Sequence, residues 1–240
     1  GGVGLGRGEG CEKVPDSRGH PTIAVPSQHK FKAVYDALAD EGATQVLSIH
    51  ISETLSATVN VARAAAAETI SLPVTVLDSG QLSLGIGFLV QKAAELALQG
   101  QTVEQILPVL QNQMQRTHVW AALDTLKFLR RSGRMNAVVS TIGEIIQIKP
   151  ILKMFNGVSG AEKVRTRKTA IARLKTMLET YAPFERLAFL HSNAVEGALA
   201  LKESIRHLLP EDEVWLEVIN PVLGAHIGPG VVGFACISKE

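Results

Sequence analysis

Apolar and polar positions along the chain follow two rhythms, one in each half. In the first half, Phe31, Val34, Tyr35 and Leu38 recur at helical spacing, and Gly42 ends that helix. Residues 46–51 form a short β-rich apolar run, read as a buried strand, followed by a polar turn over 52–56 and an alanine-dominated helix over 57–68. A second buried strand is predicted over 74–77, ending at Asp78, Ser79 and Gly80. Helices over 82–99 and 103–115 come next, with Gly100 between them. Buried strands alternating with helices predict a parallel sheet covered by helices.

The rhythm changes through the middle of the chain. Residues 118–123 read as a strand and 124–131 as a short amphipathic helix, capped by Asp124 and Thr125. Arg130 and Arg131 sit at its partially negative end, and Ser132-Gly133 stops it. A second apolar segment over 138–148 runs to Lys149-Pro150, where Pro150 bars further helix. Runs over 151–155 and 158–164 flank Asn156-Gly157, a strong hairpin dipeptide. Helices are predicted over 168–180 and 195–208, and strands over 186–190, 213–219 and 231–237. The expected fold is therefore a two-domain α/β protein. Residues 1–20 form an irregular segment, 21–148 a parallel α/β layer, and 149–240 an α+β domain with a largely antiparallel sheet.

Composition narrows the function classes. Of 240 residues, 46% are hydrophobic but only 5% aromatic, so the interior is aliphatic and alanine-rich. A net charge of +1 gives no global field to recruit nucleic acid or an anionic membrane. Charges interrupt every apolar run before it reaches bilayer length, so no stable membrane insertion is expected. No basic segment followed by an apolar one opens the chain, and Cys11 and Cys236 read as free thiols of a reducing compartment, which together predict a cytoplasmic protein. His20, His29, His50, His118, His191, His207 and His226 show no metal-ligand spacing, and no protein metal site or cofactor is expected. Neither a nucleophile elbow nor a nucleotide loop is present, so no catalytic residue is nominated.

Four stretches could carry binding chemistry. The turn SETLSAT, 52–58, lies between a strand end and a helix start, where N–H groups and the helix dipole favour an anion. Spacing alone reads Ser52 or Ser56 more readily as plain helix caps. AHIGPGVV, 225–232, offers His226 as a donor and Gly228 and Gly230 for close backbone approach, although a histidine before a glycine turn is more often structural. GQLSLGIG, 80–87, does not match a dinucleotide or phosphate fingerprint, and a plain packed helix is as good a reading as an apolar wall. Arg130, Arg131, Arg134, Arg165, Arg167 and Lys168 read by default as a solvated surface.

DTLKFLRRSGRM followed by IKPIL resembles the central signature of the DegV family, bacterial two-domain proteins that bind a long-chain fatty acid. IHISETLSATVNVARAAAAE, VLDSGQLSLGIGFLV, KVRTRKTAIARL and AHIGPGVVGFA match the family in order, from about Pro21 to Ser238. The resemblance implies that Ser56 hydrogen-bonds the fatty-acid carboxylate, with Ser52 and Thr58 in the same loop. Glu53 and Ala57 depart from the family's I-S-S-x-L-S-G-T. A further loop, PTIAVPS over 21–27, resembles Thr-Ser-Gln-Pro-Ser, but Ile23 and Ala24 stand where the family has its two donors, leaving Thr22 as a substitute. By the same resemblance His226, Gly228 and Gly230 close over the head group. Leu84 and Phe88 would line an aliphatic tunnel. Arg134 and Arg165 would lie near its mouth and meet an acidic partner. The function implied is a non-enzymatic carrier presenting its fatty acid to a partner fatty-acid kinase. The competing readings are an enzyme acting on a small acid or acyl phosphate, with Ser56 or His226 catalytic, and a lipid-sensing regulator with another apolar ligand.

Overall fold

The computed structural model describes residues 25–135 and 148–240. Thr22, Ile23, Ala24, Cys11, the segment 1–20 and most of the apolar segment 138–148 lie outside the described residues. The chain divides into two compact units. Among the described residues, one comprises 25–115 with Asn156–Val158, and the other 116–135, 148–155 and Ser159–Glu240.

In the first unit the order is α1 (Gln28–Asp40), β1 (Val46–His50), α2 (Thr58–Glu68), β2 (Val74–Asp78), α3 (Leu84–Leu98) and α4 (Val103–Met114). Strands β1 and β2 pair in parallel from Val46 opposite Val74 to His50 opposite Asp78. Side chains alternate across this pair. Val46 and Val74 pack with Tyr35, Ala65 and Leu72 beneath α1 and α2. Leu47, Ile49 and Leu77 pack with Leu89, Leu96, Ile106 and Leu110 of α3 and α4. Helices thus cover both faces, as the buried-strand pattern requires. Both strands are half-buried at every position, less enclosed than their apolar composition predicts. Ser27 caps α1 by accepting the Lys30 N–H, and Gln105 reaches back to the Thr102 N–H at the start of α4.

The second unit holds β3 (Thr117–Ala122), α5 (Lys127–Arg131), β4 (Lys149–Phe155), β5 (Val158–Val164), α6 (Arg167–Tyr181), β6 (Phe184–Ser192), α7 (Val195–Ser204), β7 (Trp215–Val218), α8 (Pro221–Ile227) and β8 (Val231–Ser238). Its sheet has the order β5-β4-β3-β8-β6-β7. The β3–β4, β3–β8 and β6–β8 pairs are antiparallel and β6–β7 is parallel, so the sheet is mixed and mostly antiparallel. Trp120, Phe189 and Phe234 on one face pack with Leu174 and Leu178 of α6 and Leu201 of α7.

Three features differ from the sequence expectation. The units change over at residues 115 and 116 rather than near 148, because β3 is hydrogen-bonded between β4 and β8. The helix expected over 195–208 ends at Ser204, and Arg206–Leu208 forms a separate 3₁₀ turn beside buried Ile205. Helix α8 was not anticipated. Its signal is Asn220-Pro221, with the Asn220 side chain accepting the Leu223 N–H at 2.9 Å and proline at the first helical position.

Candidate functional site

The loop between β1 and α2 is built by hydroxyls that bond to one another. Ser52 is fully buried; its N–H donates to Gln81 O at 2.9 Å, and its carbonyl accepts the Leu55 and Ser56 N–H groups. Its Oγ lies 2.9 Å from Thr54 Oγ1, which in turn donates to Gly157 O at 3.1 Å. Ser52 is thereby occupied in shaping the loop. Asp78 fastens the same region, accepting the Glu53 N–H through Oδ2 and the Gly80 N–H through Oδ1. Glu53 pairs with Arg63 on the exposed side at 2.9 Å.

Ser56 and Thr58 lie at the start of α2, both half-buried. Their hydroxyls are 2.8 Å apart, and Ser56 Oγ also accepts the Thr58 N–H at 3.3 Å. One hydroxyl proton is spent between the two oxygens. The other remains to be donated outward, beside a helix terminus that carries partial positive charge. The helix has no side-chain cap at Ala57, but the Thr58 N–H is taken by Ser56 Oγ and the Asn60 and Val61 N–H groups by Ala57 O, so the terminus contributes its partial positive charge rather than a row of open amides. Such an arrangement offers hydrogen-bond donation to an anion without any cationic side chain. At the end of β2, Ser79 is buried and its N–H donates to His50 O, while Ser83 heads α3 with φ 53°. Leu84 is half-buried and Phe88 buried on α3.

A polar chain that the motifs did not reveal crosses the other face of β1. Tyr35 Oη lies 2.9 Å from Ser48 Oγ, which lies 2.7 Å from His50 Nε2. Burial lowers the His50 pKa, and the Phe31 ring packs edge-on at 5.4 Å. The i, i+2 spacing of Ser48 and His50 on a strand was its only sequence signal.

In the second unit, His226 occupies the last turn of α8 and is half-buried. The turn that follows is fixed by its glycines. Gly228 has φ 78°, and a Cβ there would run into the Phe128 ring; Gly230 has φ 82°, and a Cβ there would run into the Asp124 carboxylate. Gly230 N–H also donates to Ser192 O at 2.7 Å. Arg134 folds back so that Nη1 donates to Ser132 O at 2.8 Å, at the C-terminal end of α5, where a cation is favoured. Arg165 is exposed beyond β5. The structure therefore gathers Ser52, Ser56 and Thr58 in one unit, and His226, Gly228 and Gly230 in the other.

Among the described residues, no helix is long and apolar enough to cross a membrane, and no group of three His, Cys, Asp or Glu side chains could hold a metal ion.

These features define a two-unit α/β protein with a hydroxyl-rich loop at the carboxyl end of a parallel strand pair. The chain belongs to the DegV family: the model of the family described as "Uncharacterised protein, DegV family" matches residues 5–239. A DegV domain-containing protein of Deinococcus radiodurans is 36% identical over 239 residues, covering 98% of this chain and 84% of the relative. Protein DegV of Bacillus subtilis is 32% identical, covering 95% and 83% respectively. Among solved structures, a fatty-acid-binding DegV family protein of Streptococcus agalactiae superposes with a TM-score of 0.87 at 27% identity, covering 100% of this chain and 86% of that one. A DegV family protein of Thermus thermophilus, described by its fatty-acid binding, superposes with a TM-score of 0.82 at 34% identity, covering 95% and 82%.

Proposed function

We propose that this protein binds a long-chain fatty acid and acts as a cytoplasmic carrier rather than a catalyst. The observation that carries the reading is the Ser56–Thr58 hydroxyl pair, with one proton left to donate at the start of α2. Support comes from the solved relatives that bind fatty acids. The pair receives the carboxylate at the start of α2. Leu84 and Phe88 face the acyl chain. Burying each methylene contributes about 0.8 kcal/mol, so a tail of about fifteen methylenes supplies on the order of 12 kcal/mol before ordering costs. A few neutral donors then suffice to orient the head group.

The carrier presents the carboxylate to a separate fatty-acid kinase, with Arg134 and Arg165 meeting an acidic surface of that partner. ATP and metal belong to the kinase. The test is native mass spectrometry of the purified protein, followed by denaturation and lipid extraction. One equivalent of a fatty acid of roughly fourteen to eighteen carbons is expected in the wild type, with depletion in Ser56→Ala. A protein that stays empty after incubation with such acids would overturn the reading.

A further inference from the structure

We propose that His50 is a further head-group donor: the chain Tyr35–Ser48–His50 fixes its ring as the Nδ1–H tautomer and offers that N–H to the carboxylate held by Ser56 and Thr58. The inference rests on the fatty-acid reading of that loop and adds a residue to it. The direction of the chain is set at its buried end. Tyr35 is 2% exposed, and among the described residues its Oη meets one partner, Ser48 Oγ at 2.9 Å. A buried phenol gives its proton to the acceptor it has, so Tyr35 donates to Ser48. Ser48 then gives its own proton to His50 Nε2 at 2.7 Å. A neutral imidazole whose Nε2 accepts carries its proton on Nδ1. Burial favours the neutral ring by lowering its pKa, and the Phe31 ring, edge-on at 5.4 Å, holds its plane.

Position brings this donor to the level of the hydroxyl pair. Val46, Ser48 and His50 alternate onto the face of β1 that α1 and α2 cover. Because β1 and β2 are parallel, the helix between them runs back against the strands. Val46 packs with Ala65 and Ala66 toward the end of α2. The strand rises about 13 Å from Val46 to His50, and α2 spans about 11 Å from Ala65 back to Thr58, so His50 stands level with the first turn of α2. The two ring nitrogens face nearly opposite ways. With Nε2 turned back to Ser48, Nδ1 faces the carboxyl end of the strand, where the loop 52–58 begins. Nδ1 has no hydrogen-bond partner among the described residues, and the half-buried ring leaves it within reach of a solute. The charge that opposes an anion here is Asp78, opposite His50 in the strand pair, but its two oxygens are engaged by the Glu53 and Gly80 N–H groups. A neutral N–H at this place orients a carboxylate without burying a cation.

Heteronuclear NMR of the imidazole nitrogens in the full chain reads the tautomer at neutral pH, before and after palmitate or acetate is added. An unprotonated Nε2 and a protonated Nδ1 are expected in the free protein, with the Nδ1 signals moving as carboxylate binds. Tyr35→Phe lets Nε2–H donate to Ser48, so a larger share of the other tautomer is expected in that variant. Two substitutions separate the nitrogens, because asparagine places an amide where Nδ1 stands and glutamine places one where Nε2 stands. Palmitate affinity, measured by calorimetry, is expected to fall at least about tenfold in His50→Gln and to stay near the wild type in His50→Asn. A protonated Nε2 in the free wild type, Nδ1 signals unmoved by palmitate and by acetate, or a folded His50→Gln that binds palmitate like the wild type would overturn the proposal. Nδ1 signals that respond to acetate in a protein that binds no palmitate would overturn the fatty-acid reading alone.

Discussion

Replacing Ser56 by alanine removes both the acceptor for the Thr58 N–H and the partner of the Thr58 hydroxyl. Loss of a local cap of this kind costs about 0.5–2 kcal/mol, so a lower Tm is expected alongside any loss of ligand. Ser56→Thr keeps the hydroxyl and should restore both; if it restores Tm alone, the hydroxyl's position rather than its presence governs binding. A second residue-scale prediction concerns Glu162. Its hydrogen bonds from Arg173 Nε and Nη2, at 2.7 and 3.1 Å, are the main cause that lowers its pKa from the usual 4.5, with Lys153 assisting. A lowered carboxyl pKa stabilises the fold above the unfolded value, and that contribution is lost as pH falls below about 4.5 and through the folded pKa. Glu162→Gln should therefore cost up to about 1 kcal/mol at neutral pH, since the group is partly solvated, and close to nothing in acid; urea unfolding at both pH values measures it. At this scale the glycine pair after His226 was legible as a turn. What each glycine makes room for, the Phe128 ring and the Asp124 carboxylate, was not, because those partners are about a hundred residues away in the chain.

Elements that carry their own start and stop chemistry were the readable ones. The hairpin at Asn156-Gly157 forms with φ 45° and 75°, the left-handed pair that this dipeptide favours. A Cβ on Gly157 meets nothing, so Gly157→Ala isolates the backbone cost, expected to be roughly 1–2 kcal/mol and read as a lower urea midpoint with an unchanged slope. A null result would mean that the turn relaxes to another type. Helix α8 was missed because seven residues give too little periodicity, even though Asn220-Pro221 is a legible start. The long helix expected after residue 195 broke because Ile205 is drawn fully into the core, and the chain turns there through a 3₁₀ step.

Acid sensitivity of the fold belongs to the molecule as a whole. His118 stands between the Phe155 ring at 4.5 Å and the Tyr181 ring at 3.9 Å, and burial lowers its pKa to about 4 from 6.5. Between those values the unfolded chain binds the extra proton, so stability should fall as pH drops through that window, by at most about 1.4 kcal/mol per pH unit, and level off below it. His118→Phe keeps a stacking ring without a proton site and should remove this part of the slope in urea unfolding followed from neutral to acid pH. An identical slope in the variant would assign the sensitivity elsewhere.

The sequence by itself determined the alternation of strand and helix, the mostly antiparallel second sheet and the family, because periodicity, turn dipeptides and ordered motifs are local properties of the chain. Tertiary structure alone decided that β3 joins the second unit, since strand pairing with β4 and β8 is set by which edges meet, not by proximity in sequence. It also decided that the Ser52 hydroxyl is consumed inside its loop while the Ser56–Thr58 pair keeps a proton to give. Hydroxyls that look alike in a motif differ once their neighbours are in place, because a donor can serve a ligand only if the fold has left it unspent.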